Sequence, residues 1–191
     1  LGEERIKDCF NIMGSGSAML NVMFQDVIEG GEQASVTSYP TTKNQTLMID
    51  LADFAELDFK NENGDSGRNT GDYADRVLAH EMFHAVTNDY LGHDVMVSLP
   101  IWFKEGFAEF LHGAKERFID AYNGDNKDSK KDKLITLAQG ILNGEWLGTS
   151  EEYVASYLIA IAIYRKASES QWKNLFIRLK TQKNPSINFL Y

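Results

Sequence analysis

The chain has 191 residues, a length that suits one well-packed domain and is short for two. Its 28 acidic residues outnumber the 19 basic ones, so the formal net charge is −9. Such a surface repels phosphate backbones, and this argues against a nucleic-acid partner. The lone cysteine, Cys9, excludes an internal disulfide and a zinc cluster built from thiolates.

The apolar runs and the first residues of the chain were compared with membrane and secretory patterns, and neither fits. The most apolar stretch, residues 157–164, is too short to cross a bilayer, so no membrane span is predicted. The opening Leu1-Gly2-Glu3 does not resemble a secretory signal. We therefore expect a domain cut from a longer protein or a stand-alone relative of one.

The first third of the chain predicts two helices and then two short strands. Apolar spacing predicts the helices, and β-branched residues bounded by turn formers predict the strands. The helices are predicted over residues 3–13 and 17–29, and the strands over residues 36–39 and 47–51. Residues 60–72 are turn formers with almost no apolar side chain, which predicts a loop.

The central region predicts two longer helices. The first is expected over residues 72–90, with Gly92 as its C-terminal stop. The second is expected over residues 100–113, with Pro100 suited to its first turn. Both helices carry residues that ligate metals.

The sequence His-Glu-Met-Phe-His at residues 80–84 predicts a zinc site. Residues four apart on a helix share a face, so His80 and His84 can direct two imidazoles at one ion. Glu105, on the second helix, is the natural third ligand. Zinc suits imidazole and carboxylate ligands, and a catalytic site combines three protein ligands with a water molecule.

Two further glutamates suit roles around that ion. Glu81 is rotated by about 100° from His80, so it should miss the metal and reach the metal-bound water. There it would act as general base and then deliver the proton to the leaving amine, while zinc lowers the pKa of the water to about 7. Glu109, one turn beyond Glu105, is expected to accept the free ring N–H of His80.

The last third of the chain predicts more helices around a polar loop. These helices are expected over residues 115–122, 134–142, 149–166 and 169–180. Thr149 and Glu152 form a capping box for the third of them. Residues 123–133 are polar and predict a surface loop, and residues 182–191 receive no assignment.

Other polar side chains have weaker assignments. Tyr153 or Tyr157 would serve as the oxyanion donor, and core packing is the alternative for each. His112 shares a helix face with Glu105 and could touch the site. His93 is expected to be a loop residue.

Taken together, the pattern predicts a mostly helical α+β zincin-type domain over residues 1–191. Helices and a small sheet would occupy residues 1–70, the zinc and glutamate helices residues 71–114, and the remaining helices residues 115–191. We expect the cleft between the zinc helix and the strand layer, where an extended peptide could add to a sheet edge.

The central motif also resembles a known family. His80-Glu81-x-x-His84 followed by Trp102-Phe103-x-Glu105-Gly106-x-Ala108-Glu109-Phe110 resembles the gluzincin class of metallopeptidases. Within that class the chain is most similar to flagellinolysin, the collagenase-related peptidase domain of bacterial flagellins. The further similar stretches are residues 74–79, 85–87, 110–114 and 143–150, with Tyr153 and Tyr157. The resemblance covers residues 70–165, and the first 60 residues carry no motif of the family.

The resemblance implies a Zn²⁺-dependent endopeptidase that cleaves protein substrates outside the cell. It implies a location at the bacterial cell surface, where the domain would be displayed on a flagellar filament as an insertion. Flagellin-like ends are not present in this sequence.

Two functional classes remain open at this point. One is an active zinc endopeptidase, and the other is a catalytically silent, zinc-stabilised surface or adhesive domain. A structural site would close the fourth metal position and would have no need of Glu81, so the glutamates favour the enzyme. A metallopeptidase-like toxin that cuts one host protein is a third option.

Overall fold

A computed structural model describes residues 2–26, 34–39, 41–52, 74–112, 118, 122 and 126–181. The fold is α+β and mostly helical, with a small three-stranded mixed sheet, as predicted. The elements in chain order are α1 (Gly2–Phe10), β1 (Leu20–Gln25), β2 (Ala34–Tyr39), β3 (Thr42–Asp50), α2 (Ala74–Leu91), α3 (His93–Ser98), α4 (Ile101–His112), α5 (Lys127–Leu142), α6 (Ser150–Lys166), α7 (Glu169–Lys173) and α8 (Leu175–Thr181).

The sheet has the strand order β1-β3-β2. β3 pairs in parallel with β1 and antiparallel with β2, so that Leu47 lies between Val22 and Val36. Leu47 and Ile49 are buried and form a small apolar cluster with Val77 of α2. The two predicted strands are confirmed, although β2 and β3 each begin earlier than the sequence indicated.

The predicted helix over residues 17–29 is wrong in its described part, because residues 20–25 form strand β1. The apolar residues of this segment fit the spacing of a helix and that of a strand equally well. Hydrogen bonding to β3, which lies 25 residues further along the chain, makes the segment a strand. Val22, Met23 and Phe24 remain exposed. The first helix also ends earlier than expected, since α1 stops at Phe10.

The main core lies among the helices. The ring of Phe10 contacts the rings of Phe83, Phe107 and Phe176, which ties α1 to α2, α4 and α8. All four side chains are fully buried. Aromatic rings of this size bury large apolar areas, so this cluster dominates the packing around α2 and α4.

Two further helices differ from the sequence prediction. α5 begins at Lys127, inside the expected loop over residues 123–133. The first turns of α5 face solvent, so they lack the periodic apolar residues by which a helix is recognised in a sequence. Further along α5, Leu134 and Ile141 are buried. His93 begins the short helix α3 and is not a loop residue.

The other C-terminal predictions agree with the structure or lie outside it. Thr149 caps α6 through the expected capping box with Glu152. The helix expected over residues 169–180 is present as α7 and α8, divided at Asn174. Of residues 115–122 only 118 and 122 are described, and both are helical. The loop over residues 60–72 and the tail from residue 182 lie outside the described residues.

Within the part of the chain that the structure describes, no helix combines the length and the apolar character that crossing a membrane requires.

Candidate metal centre

Two helices carry the residues of the candidate site, and the aromatic core holds them together. α2 carries His80 and His84, and α4 carries Glu105 and Glu109. α2 ends where Gly92 adopts a φ of 91° and donates its N–H to the Asn88 carbonyl at 2.9 Å. The chain then reverses through α3, and α4 packs back against α2.

α4 also packs against α6. At Gly106 an added Cβ would lie 2.4 Å from the carbonyl oxygen of Ser156, closer than two such atoms can approach. Only glycine therefore permits this separation of the two helices. Because Gly106 follows Glu105 directly, the contact fixes the turn of helix that presents the third ligand.

The three predicted ligands meet at one point. Nε2 of His80 lies 3.1 Å from Oε2 of Glu105, and Nε2 of His84 lies 3.4 Å from the same oxygen. One ligand atom from each of the three residues falls within 4.8 Å of the others. His80, His84 and Glu105 therefore form a largely buried group that could hold a metal ion.

The donor set and its spacing both fit a small tetrahedral cation. Bonds of about 2.0–2.1 Å directed to the corners of a tetrahedron place the ligand atoms roughly 3.3 Å apart. The two nitrogen–oxygen separations, 3.1 and 3.4 Å, bracket that value. Two imidazoles and a carboxylate are also the ligand types such an ion takes.

Glu109 supports His80 from the other side of its ring. Nδ1 of His80 donates to Oε1 of Glu109 at 3.0 Å, and the Glu109 side chain is buried. In the neutral ring, which is the form that binds a metal, this hydrogen bond keeps the proton on Nδ1 and leaves Nε2 toward Glu105 and His84. The structure thus brings together the pair that the one-turn spacing of Glu105 and Glu109 suggested.

The carboxylates set the protonation of the site. Burial lowers the pKa of the His80 ring, but hydrogen bonds to Glu105 and Glu109 and their negative charges outweigh it and raise the pKa to about 10. Burial raises the pKa of Glu105, but the charge of His84 and hydrogen bonds from both imidazoles hold it well below its usual range. Ionised Glu105 is the form that binds a cation, whereas the protonated His80 ring must release its Nε2 proton when an ion binds.

Glu81 is the buried acid next to His80 on α2. Its side chain leaves the helix in a different direction from those of His80 and His84, because adjacent residues of a helix are about 100° apart. The group of ligand atoms that lie within 4.8 Å of one another does not include it.

Tyr153, one of the two predicted tyrosines, packs against the site. Its ring centroid lies 6.0 Å from that of His80, in an edge-on arrangement. Tyr157 lies one turn further along α6 and is half-buried. His112 ends α4, and its side chain is outside the described residues. His93 is set apart by a different contact, since its Nδ1 lies 2.9 Å from Oγ of Ser38 on β2.

Sequence reasoning included residues 143–150 in the family resemblance but assigned this segment, which precedes α6, no role in the site. Trp146 packs its ring 5.0 Å from that of Tyr153, so it adds a second layer behind His80. No spacing rule links a loop residue to a helix seven positions later. The capping box at Thr149 was the available signal, because it fixes the direction in which the chain enters α6.

Comparisons of this chain with protein-family models, with curated proteins and with solved structures found no match. The functional argument therefore rests on the geometry and chemistry of the site.

Proposed function

We propose that the protein is a zinc-dependent endopeptidase that hydrolyses peptide bonds of extracellular protein substrates. The observation that carries the proposal is the convergence of His80, His84 and Glu105, whose ligand atoms lie within 4.8 Å of one another. These residues would hold the ion, and Glu81 would be the general base.

Zinc is the ion that the donor set favours. Imidazole nitrogens and a carboxylate oxygen suit zinc better than calcium or magnesium, which prefer oxygen ligands alone. Three protein ligands are the number found in catalytic zinc sites, whereas structural sites close the fourth position with another side chain. No fourth His, Cys, Asp or Glu joins this group among the described residues.

The residues around the ligands supply the remaining chemistry. Bound zinc acts as a Lewis acid and lowers the pKa of water to about 7. Glu81 would take a proton from the attacking water and pass it to the leaving amine nitrogen. Glu109 would keep the His80 ring oriented through its hydrogen bond to Nδ1. Tyr153, whose ring packs edge-on against that of His80, would donate to the oxyanion of the transition state.

The substrate setting is a further part of the proposal. The resemblance of residues 80–84 and 102–110 to flagellinolysin supports protein substrates outside the cell and display on a flagellar filament. The net charge of −9 supports a peptide substrate over a nucleic acid.

Replacing Glu81→Gln separates catalysis from metal binding. We expect the zinc-loaded variant to keep one zinc per chain and to lose peptide cleavage by about 10²–10⁴-fold, because the amide cannot accept the proton. Asp94→Asn, an exposed acid on α3, is the matched control and should cleave normally.

Cleavage of an unfolded protein substrate and metal content would be measured on the same preparations. If Glu81→Gln cleaves as fast as the wild-type protein, Glu81 is not the base. If the zinc-loaded wild-type protein cleaves no peptide bond, the silent surface domain becomes the better account.

A further inference from the structure

A polar cavity of about 260 Å³ lies between the sheet and the C-terminal end of α2. It is much larger than the roughly 30 Å³ that one water molecule occupies, and smaller than the roughly 300–1,000 Å³ of sites that enclose a whole small ligand. Its size therefore suits one side chain of a larger ligand. The polar residues of its lining include Ser38 of β2, Lys43 and Gln45 of β3, Asn88 and Asp89 of α2, and His93 of α3.

Gln45 brings a buried amide oxygen without a partner to this cavity. The residue is 5% exposed and lies on the face of β3 that carries Leu47 and Ile49, which pack against α2. Its Nε2 donates to the carbonyl of Ala85 at 2.6 Å, and this contact assigns the two amide atoms, because only the nitrogen can donate. Oε1 then has no hydrogen-bond partner among the described residues. Buried amide oxygens normally have one, so a ligand in the cavity could supply the missing N–H or O–H.

Other polar groups of the lining can meet the rest of such a ligand. Oγ of Ser38 lies 2.9 Å from Nδ1 of His93, which joins β2 to α3 across one wall. Lys43 and Asp89 carry opposite charges, so together they add no net charge to the lining. The Asp89 carboxylate is already engaged, because it accepts two hydrogen bonds from the segment that precedes β1. The lining thus combines one buried acceptor, on Gln45, with hydroxyl and ammonium donors.

A primary amide is the group that fits this lining. Its nitrogen can donate to Oε1 of Gln45, and its oxygen can accept from the ammonium group of Lys43 or the hydroxyl of Ser38. A carboxylate has no proton to donate to Gln45, and a cationic side chain would have Lys43 as a like-charged neighbour. An apolar side chain would leave the buried oxygen without a hydrogen bond.

The cavity adjoins the candidate metal centre along α2. Asn88, in its lining, follows the ligand His84 by four residues, so the two share a face of the helix and lie about 6 Å apart along its axis. Gln45 is bonded to the carbonyl of Ala85, the residue directly after His84. At about 100° per residue, Glu81, Ala85 and Asn88 lie on one side of α2. The proposed general base and the cavity therefore lie on the same side of the helix.

We propose that this cavity is a specificity subsite, which holds the side-chain amide of a glutamine or asparagine in the substrate. An extended peptide advances about 3.3 Å per residue, so a substrate that follows α2 from His84 reaches the cavity about two residues from the cleaved bond. Oε1 of Gln45 accepts a hydrogen bond from the amide, and Lys43 or Ser38 donates to its oxygen. The inference rests on the proposed peptidase function and names its substrate class.

Two variants change the cavity in different ways. Gln45→Met keeps the length of the side chain but removes both amide atoms. Asn88→Met places a longer apolar side chain at the cavity and is a good helix former. Thr37→Val is the control, because Thr37 is exposed, lies outside the cavity lining and points to the opposite face of β2 from Ser38. Zinc content and circular dichroism are measured on every protein, and if Gln45→Met does not fold, Asn88→Met decides the test.

The probe is a set of end-blocked octapeptides based on the best-cleaved member of a random library. Each position within three residues of the cleaved bond carries glutamine, asparagine, methionine, glutamate or arginine in turn. We expect glutamine or asparagine at one position to raise kcat/KM about tenfold over methionine, the scale of one hydrogen bond to a buried oxygen. Gln45→Met and Asn88→Met should both abolish this preference, and Thr37→Val should keep it.

Three results overturn the inference. The first is that no position favours an amide side chain over methionine. The second is an amide preference that survives in folded Gln45→Met or in Asn88→Met. The third is a stronger preference for glutamate or arginine at the same position, which would show that the cavity selects a charge.

A binding measurement separates this inference from the proposed function. If the zinc-loaded wild-type protein cleaves no member of the random library, the peptidase proposal fails. Isothermal titration calorimetry then compares octapeptides of alanine and serine that carry glutamine or methionine at one position in turn. Tighter binding of a glutamine peptide that is lost in both cavity variants supports the subsite, and equal or absent binding overturns it.

Discussion

The helical region and the sheet region of this protein are packed very differently. In the helical region Phe10, Phe83, Phe107 and Phe176 are fully buried, and the Phe10 ring contacts the other three. In the sheet region the apolar cluster is small, and strand β1 leaves most of its apolar side chains exposed. All three proposed ligands belong to the helical region, where dense packing can hold them within a few tenths of an ångström.

The largest expected contrast is between a core phenylalanine and a β1 valine. Phe107→Ala should destabilise the protein by about 3–5 kcal/mol, because it leaves a cavity among Phe10, Phe103 and Trp172. Val22→Ala, at a side chain that is 51% exposed, should change the free energy of unfolding by less than about 1 kcal/mol. Denaturant unfolding measures the free energy of unfolding of both variants. Equal losses of stability would contradict the difference in packing between the two regions.

A smaller effect is expected where α4 meets α6. Gly106→Ala places a Cβ 2.4 Å from the Ser156 carbonyl, so the helices must separate. We expect a loss of about 1–3 kcal/mol in stability and weaker zinc binding, because Glu105 moves with the helix.

Gly140→Ala is the matched control for that change. Its added Cβ would meet the Glu145 carboxylate, which lies on an exposed and flexible side chain and can move aside. Alanine also favours the helix by about 1 kcal/mol, so this variant should be at least as stable as wild type. If Gly106→Ala also leaves stability and zinc affinity unchanged, the close contact does not position Glu105.

The smallest expected effect is a pH dependence of stability, which arises where Glu152 accepts hydrogen bonds from the loop over residues 143–149. Burial raises the Glu152 pKa, but its hydrogen bonds to Thr149 and Leu147 outweigh this and lower the pKa below the ordinary 4.5. The resulting stabilisation is complete above about pH 4.5 and is lost as the pH falls through the lowered folded pKa.

Glu152→Gln keeps the capping box but removes the charge. It should cost about 1 kcal/mol at pH 7, and its difference from wild type should shrink as the pH falls below 4. Urea unfolding between pH 3 and pH 7 measures this dependence. A difference that stays constant over that range would show that the charge does not hold the loop.

The sequence predicted the ligand helices well because their signals are local. Histidines four apart fix one helix face, and the capping box at Thr149 fixes the start of α6. Strand β1 was missed because its pairing with β3 is a non-local hydrogen-bonding pattern. The first turns of α5 were missed because a solvent-exposed stretch of helix carries no periodic apolar residues in its sequence.

The same distinction applies within the candidate site. The pairing of Glu109 with His80 could be predicted from two facts. Glu109 lies one helical turn after Glu105, and a metal-ligating histidine usually donates its other ring N–H to a carboxylate. The edge-on contact of the Trp146 ring with the Tyr153 ring could not be predicted in this way, because it depends on how a loop folds back on the helix that follows it.

Zinc titration of the wild-type protein and of Glu105→Gln by equilibrium dialysis tests the central claim most directly. If His80, His84 and Glu105 share one ion, the wild-type protein binds one zinc per chain. Glu105→Gln, which loses the anionic ligand, then binds it at least about 100-fold more weakly. A wild-type protein that takes up no zinc, or a variant that binds it equally tightly, would contradict the account.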